Sequence, residues 1–183
     1  MILITNTSLF FEKREMLAGK SVIPMGKQFH EMAKLAEGIL REHYSKFHPM
    51  SRVDSWIKAA QSCEKIQEDS TSGMEYYFLK VGHKNVGYIA VKPENEKKRL
   101  FLSKFYIDHQ YRGNGVGRHA INFLEKLGKE KNMKDIYCYC SKYNTESLKA
   151  YEKLGFYIEA DIITPVEGSD RVCEENIMTK KIM

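Results

Sequence analysis

The feature that most constrains this chain is a junction. An apolar, strand-like run from Leu100 to Ile107 enters Gln110-Tyr111-Arg112-Gly113-Asn114-Gly115-Val116-Gly117-Arg118, and an amphipathic, helix-like run leaves it toward Lys129. Glycines at 113, 115 and 117 permit positive φ and let another group approach the main-chain amides closely. Free N–H groups at a helix start, backed by the helix dipole and flanked by Arg112 and Arg118, form a site for phosphate. The sequence therefore points to a phosphorylated ligand.

Two common phosphate loops do not fit this spacing. A dinucleotide fingerprint needs a third glycine at 118, where Arg118 stands, and Asp135 opens a strand instead of closing one. A triphosphate loop needs Gly-Lys-Ser/Thr, which this stretch lacks.

What fits is R-x-x-G-x-G, read from Arg112 to Gly117, with Gln110-x-x-Gly113-x-Gly115 matching in the neighbouring register. Downstream, Asn144-Thr145-Glu146-Ser147-Leu148-Lys149-Ala150-Tyr151-Glu152-Lys153-Leu154-Gly155-Phe156 fits N-x-x-[AS]-x-x-x-Y-E-K-x-G-F. Together, in this order, the two motifs resemble the GCN5-related N-acetyltransferases, the GNAT superfamily. The resemblance is clear from about Glu75 to the end and loose before it.

The 183 residues suit one domain with a substantial core, and we expect residues 1–183 to form a single N-acetyltransferase domain. Apolar residues at Phe29, Met32, Leu35/Ala36, Ile39/Leu40, Tyr44 and Phe47 keep helical spacing to about Ser45. After His48-Pro49-Met50, Ser51-x-x-Asp54 reads as the cap of a second helix with Val53, Trp56, Ile57 and Ala60 on one face, and Trp56 as a core aromatic. Glu64 to Gly73 reads as a loop. Glu75–Val81 and Val86–Val91 read as a hairpin around Gly82-His83-Lys84-Asn85, leading through an exposed turn to strand 100–107. Ala120, Phe123/Leu124 and Leu127 face inward on the helix that follows. A strand follows from Asp135 to Cys140, which by the right-handed crossover rule lies parallel to strand 100–107. A helix capped by Asn144 ends at Gly155, and Phe156–Ile163 and Cys173–Lys181 form the last strand pair. Before Gln28, either Ile2–Ile4 or Ser8–Phe11 is a candidate first strand, and Pro24-Met25-Gly26 a break.

The resemblance implies an α+β fold, a mixed and mostly antiparallel sheet of about six to seven strands with a central splayed parallel pair and about four helices. It also implies that acetyl-CoA is the donor. Its diphosphate would meet Arg112, Gly113, Asn114, Gly115, Val116, Gly117 and Arg118, and its pantetheine the backbone of Phe105, Tyr106 and Ile107. Asn144 would cap its helix and bond the cofactor arm. By the same analogy the Phe105 N–H stabilises negative charge on the thioester oxygen. Tyr151 takes the general-acid position, since a phenol is protonated at neutral pH and can neutralise a departing thiolate. Many relatives carry a Glu on the strand before the glycine loop as the base; here Leu102-Ser103-Lys104-Phe105-Tyr106-Ile107 has no acid. Ser103 through a water, Asp108, His109, Tyr76 and Tyr77 are candidates, and none is assigned.

The expected acceptor is a small-molecule amine. A protein amine and a non-catalytic acyl-CoA-binding module are the alternatives, and a homodimer is compatible with the superfamily. The net charge of +5 raises nucleic acid as a partner, but the lysines alternate with acids along Glu94–Arg99 and Glu125–Lys134, as on a solvated face. Cys63, Cys138, Cys140 and Cys173 contain no C-x-x-C pair, and Lys34 stands where a zinc helix beginning His30-Glu31 would need its second His, so no metal is expected. Met1-Ile2-Leu3-Ile4 lacks the form of a signal segment and no run reaches membrane-spanning length, which favours a cytoplasmic protein.

Overall fold

The computed structural model describes residues 26–165 and 172–183. The candidate first strands, the break at Pro24-Met25 and residues 166–171 of the last loop lie outside the described residues. Two compact units emerge: residues up to Ala90 together with Lys104–His119, and Val91–Ser103 together with residues from Ala120 onward.

The described residues of the first unit form three helices, α1 (Gly26–Tyr44), α2 (Met50–Gln61) and α3 (Cys63–Thr71), followed by strands β1 (Glu75–Val81) and β2 (Lys84–Glu94), of which β2 continues into the second unit. Phe29, Met32 and Ala36 of α1 recur at helical spacing and bury against Ile66 of α3 and Tyr88 of β2, the apolar cluster that holds the helices. Tyr88 donates to Gln61 Oε1 at 3.0 Å, so the buried phenol and the buried end of α2 satisfy each other.

Three sequence expectations fail here. Residues 64–71 are helical, not a loop: the Ser62 side chain accepts from the Lys65 amide at 3.2 Å, and Glu64 occupies the first turn. Because Ile66 is the sole buried residue of α3, no apolar period announced it; the cap was the available sign. The start of α2 is Pro49, with no side-chain cap, instead of Ser51. Trp56 is 38% exposed, stacked edge-on to Tyr44 and His48 with Arg52 over its ring, so it covers the α1–α2 turn from outside; Ala60 is exposed as well.

Strand β3 (Arg99–Ile107) ends in the first unit, and a 3-10 turn, His109–Tyr111, leads to α4 (Val116–Glu130). The hairpin between β1 and β2 is tighter than expected, a two-residue turn with Gly82 at φ +60°. β2 approaches the end of β3 very closely. A Cβ on Gly87 would lie 2.4 Å from the Tyr106 carbonyl oxygen and 3.1 Å from Ile107 Cα, so only glycine fits. One residue earlier, Val86 O accepts from the Asp108 amide at 2.8 Å.

The second unit contains the start of β3, most of α4, β4 (Asp135–Ser141), α5 (Thr145–Lys153), β5 (Tyr157–Pro165) and β6 (Val172–Lys181). Among the described residues the sheet has six strands in the order β1-β2-β3-β4-β6-β5. The expected parallel pair is present, with Arg99, Leu100 and Phe101 in register with Asp135, Ile136 and Tyr137; both strands run on past the last pair. β6 is antiparallel to β4 and to β5, with an irregularity between Ile158 and Ala160. The Arg99 guanidinium donates to Asp135 Oδ1 at 2.6 Å, Glu159 Oε2 at 2.7 Å and Thr179 Oγ1 at 3.0 Å, which locks the register of β3 to three other strands. Five α-helices are present among the described residues where about four were expected, α3 being the addition.

Asp69 joins α3 to β1 and β3. It accepts from Lys104 Nζ and the Tyr76 hydroxyl, each at 2.9 Å, and pairs with Lys65 at 3.2 Å. Burial acts to raise its pKa, but the Lys104 ammonium, with Tyr76 and Lys65, outweighs burial and holds the carboxyl below its ordinary value. Stability from the ionised form is therefore present at neutral pH and fades as pH falls toward the depressed value. Asp69→Asn should cost about 1–3 kcal/mol, because Lys104 keeps a mostly buried charge without its carboxylate. In urea titrations the gap in midpoint between wild type and variant should be wide at pH 7 and narrow at pH 3; equal gaps would refute the assignment. Gly87→Ala forces two backbones apart and should cost about 2 kcal/mol, seen as a fall in Tm of roughly 4–8 °C.

Candidate active site

The segment from Phe105 to Arg118 is wired to itself. Asp108 caps the 3-10 turn, its side chain accepting from the Gln110 amide at 3.1 Å, and the Tyr111 amide donates to Asp108 O at 2.9 Å. Arg112 then folds back: its Nε donates to Ile107 O at 2.8 Å. Asn114 Nδ2 donates to Arg112 O at 3.3 Å. These short-range bonds fix the path of the chain between strand and helix.

Gly113 and Gly115 take φ of +75° and +84°, the left-handed conformations expected of them. Gly117 lies within the first turn of α4 and needs no such conformation. The first bond of the helix runs from the His119 amide to Gly115 O at 3.1 Å. The amides of Val116, Gly117 and Arg118 precede it, the donors a helix leaves without intrahelical partners. A Cβ on Gly113 would meet nothing within 4 Å, and one on Gly115 only His119 Cδ2 at 3.9 Å, so the loop presents an open main-chain surface. Val116 is buried and anchors the helix start, while Arg112, Asn114 and Arg118 are exposed. The arrangement suits an anion that accepts several N–H bonds at once.

α1 supplies a residue to this segment that the sequence reading did not name. Glu42 binds Lys46 through Oε1, and its Oε2 lies 3.9 Å from an Arg112 nitrogen and 4.0 Å from His109 Nδ1. Its spacing from Phe29 and Met32 placed it on the polar side of α1; nothing in the sequence marks its neighbour across the fold.

In the second unit, Asn144 caps α5 as expected, its side chain accepting from the Ser147 amide at 3.1 Å, and Gly155 at φ +89° follows the helix end. Tyr151 is half-buried on α5, its ring edge-on to Phe156 at 5.2 Å between centroids. Its hydroxyl bonds the Cys138 thiol. Burial pushes Cys138 up to about 12 and Cys140 up to about 11, which keeps both as neutral thiols packed in the interior, as their shared strand face suggested.

The candidate bases separate on geometry. Tyr76 is strongly disfavoured: burial first, then the Asp69 charge, pushes its pKa far up, and its hydroxyl already donates to that carboxylate. Tyr77 donates to Glu75. The Asp108 side chain is spent on the turn, with His109 Nδ1 at 3.4 Å. Among the described residues no group of three or more His, Cys, Asp or Glu is placed to hold a metal, and no helix is long and apolar enough to cross a membrane.

Comparison with known proteins gives the setting for this geometry. Spermidine N(1)-acetyltransferase of Thermoplasma acidophilum is 25% identical over 137 residues, covering 72% of this chain and 81% of that protein. Spermine/spermidine N(1)-acetyltransferase of Bacillus subtilis is 25% identical over 126 residues, covering 68% and 82%. The fold is similar to that of PaiA N-acetyltransferase from Thermoplasma acidophilum, crystallised with coenzyme A, at a TM-score of 0.71 and 19% identity over 95% of this chain and 99% of that one. The sequence model of the acetyltransferase (GNAT) family matches residues 37–156, a stretch that spans the glycine loop and the helix of Tyr151 alike, and the chain belongs to that family of acetyltransferases.

Proposed function

We propose that this chain works as one domain that moves an acetyl group from acetyl-CoA to a primary amine of a small, cationic acceptor of the polyamine class. The observation that carries the reading is the junction of β3 and α4. Two left-handed glycines follow the 3-10 turn after β3 and lead into a helix start whose amides at Val116, Gly117 and Arg118 have no intrahelical partners, beside the open surface at Gly113 and Gly115. The spermidine and spermine acetyltransferases among the relatives support the acceptor class.

In this reading acetyl-CoA supplies an activated thioester carbonyl, and the chain supplies position and protons. The amides at 113–118 bind the diphosphate, with Arg118 adding charge from the exposed first turn. The backbone of Phe105–Ile107 aligns the pantetheine as an added strand would. The Phe105 N–H offers a donor to the carbonyl oxygen as negative charge develops there. Tyr151 gives its proton to the leaving sulfur, and Phe156 restrains the ring that carries it. Asn144 caps α5 through its side-chain oxygen, and its amide nitrogen is the group offered to the cofactor arm.

Release of free thiol on a panel of primary amines tests the reaction. Spermidine and spermine should turn over, and peptides with a free N-terminus or lysine should not; turnover confined to peptides would replace the acceptor class. Tyr151→Phe should lower kcat about 100-fold with little change in the Kd for coenzyme A, because a general acid acts in the transition state and not in binding. Full turnover by Tyr151→Phe would remove the tyrosine from the mechanism.

A further inference from the structure

The second oxygen of Glu42 is a buried atom with no hydrogen-bond partner among the described residues, on a side chain only 27% exposed. Such an oxygen on an ionised group needs an explanation, since leaving it dry and unpaired is unfavourable. The carboxyl is ionised: the Lys46 bond first, then the charges of His109 and Arg112, outweigh burial and hold its pKa below the ordinary value. What the oxygen faces is the segment that enters the glycine loop, Arg112 at 3.9 Å and His109 at 4.0 Å.

Arg112 is not poised as a free cation beside the first-turn amides. Its Nε is committed to Ile107 O at 2.8 Å, the last carbonyl of β3, and its outer nitrogen lies toward Glu42. A planar guanidinium with one edge on a carbonyl and the other toward a carboxylate is a brace: it fixes the direction in which the chain leaves the strand. We propose that Glu42 is a positioning residue for the acyl-donor loop, acting through Arg112, and that Arg112 holds the loop from within instead of binding the phosphate groups. This rests on the acetyl-CoA reading above and assigns the loop's diphosphate affinity to its amides and Arg118. It also ties α1 to the donor loop.

The brace and the alternative, a direct phosphate contact by Arg112, predict opposite signs. If Arg112 binds phosphate, Glu42 is a competing anion, and Glu42→Gln tightens coenzyme A binding. If Arg112 is a brace, Glu42→Gln loosens the loop and weakens binding about 3-fold to 10-fold. The salt response separates them again. Loss of a direct charge contact flattens the dependence of Kd on ionic strength, whereas loss of a brace raises Kd and leaves that slope unchanged.

The experiment is calorimetric titration of the full chain with coenzyme A at two ionic strengths, for wild type, Glu42→Gln, Arg112→Gln, the double variant and Lys46→Ala. The expected results are weaker binding for both single variants, an unchanged salt slope, a double variant no worse than Arg112→Gln, and near wild-type binding by Lys46→Ala, which breaks only the other half of the Glu42 contacts. Tighter binding by Glu42→Gln, additive effects, a flattened slope for Arg112→Gln, or a Lys46→Ala variant as weak as Glu42→Gln would each overturn the inference while leaving the donor assignment standing. Absence of coenzyme A binding by the wild type would overturn the donor assignment and this inference with it.

Discussion

β3 has to do two incompatible things, and the way its backbone is held reconciles them. Its first residues belong to a regular sheet, registered against β4 and locked by the Arg99 fork onto Asp135, Glu159 and Thr179. Its last residues run on past the last pair with β4 and lead through a 3-10 turn into a helix, and in the proposed reading they do so while keeping amides available to an outside ligand. The close approach at Gly87 is the hinge of this change. With no Cβ there, β2 lies against the Tyr106 carbonyl and Ile107 Cα at a distance no other residue permits, and Val86 O takes the Asp108 amide that follows. The end of β3 is thus fixed by backbone against backbone, and the glycine loop inherits a defined starting point.

Side chains add a second level of restraint to the same segment. Asp69 draws Lys104 of β3 toward α3 and β1, a charge pair with the Tyr76 hydroxyl as third member. Arg112 returns to Ile107 from the other direction. Between these two anchors lie Phe105, Tyr106 and Ile107, the residues whose main chain is proposed to face the donor. A segment that recognises its ligand through backbone groups gains specificity only if those groups are held still, because the main chain itself carries no chemical identity.

Much of this was legible in the sequence because it is local. The glycine spacing, the Asn144 cap and Gly155, the amphipathic run of α4 and the alternation of Cys138 and Cys140 each report on neighbours within one turn or one strand. Most of what escaped has a partner distant in sequence. α3 is held by a single buried Ile66 and by Asp69 reaching to residue 104; Trp56 looked like core because an aromatic at helical spacing usually is, yet here it lies outside the half-buried rings of Tyr44 and His48. Gly87 sits in an apolar strand where glycine carries no turn signal, and Glu42 is one of many acids on a polar helix face. Both take their significance from an atom about 20 or more residues away that no periodicity encodes.

The same wiring bears on the proton that a primary amine must lose before it can attack. The polar side chain near the middle of late β3 is a lysine, and its ammonium is neutralised by Asp69, whose own carboxyl is held below the usual range and is a poor proton acceptor. Tyr76 is bound to that same carboxylate and stays protonated. The Lys104–Asp69–Tyr76 group is therefore a closed structural unit, built to keep its protons where they are, and it contributes position to the reaction instead of basicity. An ordinary alkyl amine with a pKa near ~10 is only about 0.1% neutral at pH 7, a disadvantage of about 4 kcal/mol. In the reaction proposed above, that free energy has to come from outside this group, and the half-buried Ser103, through a water, is one candidate on the same strand.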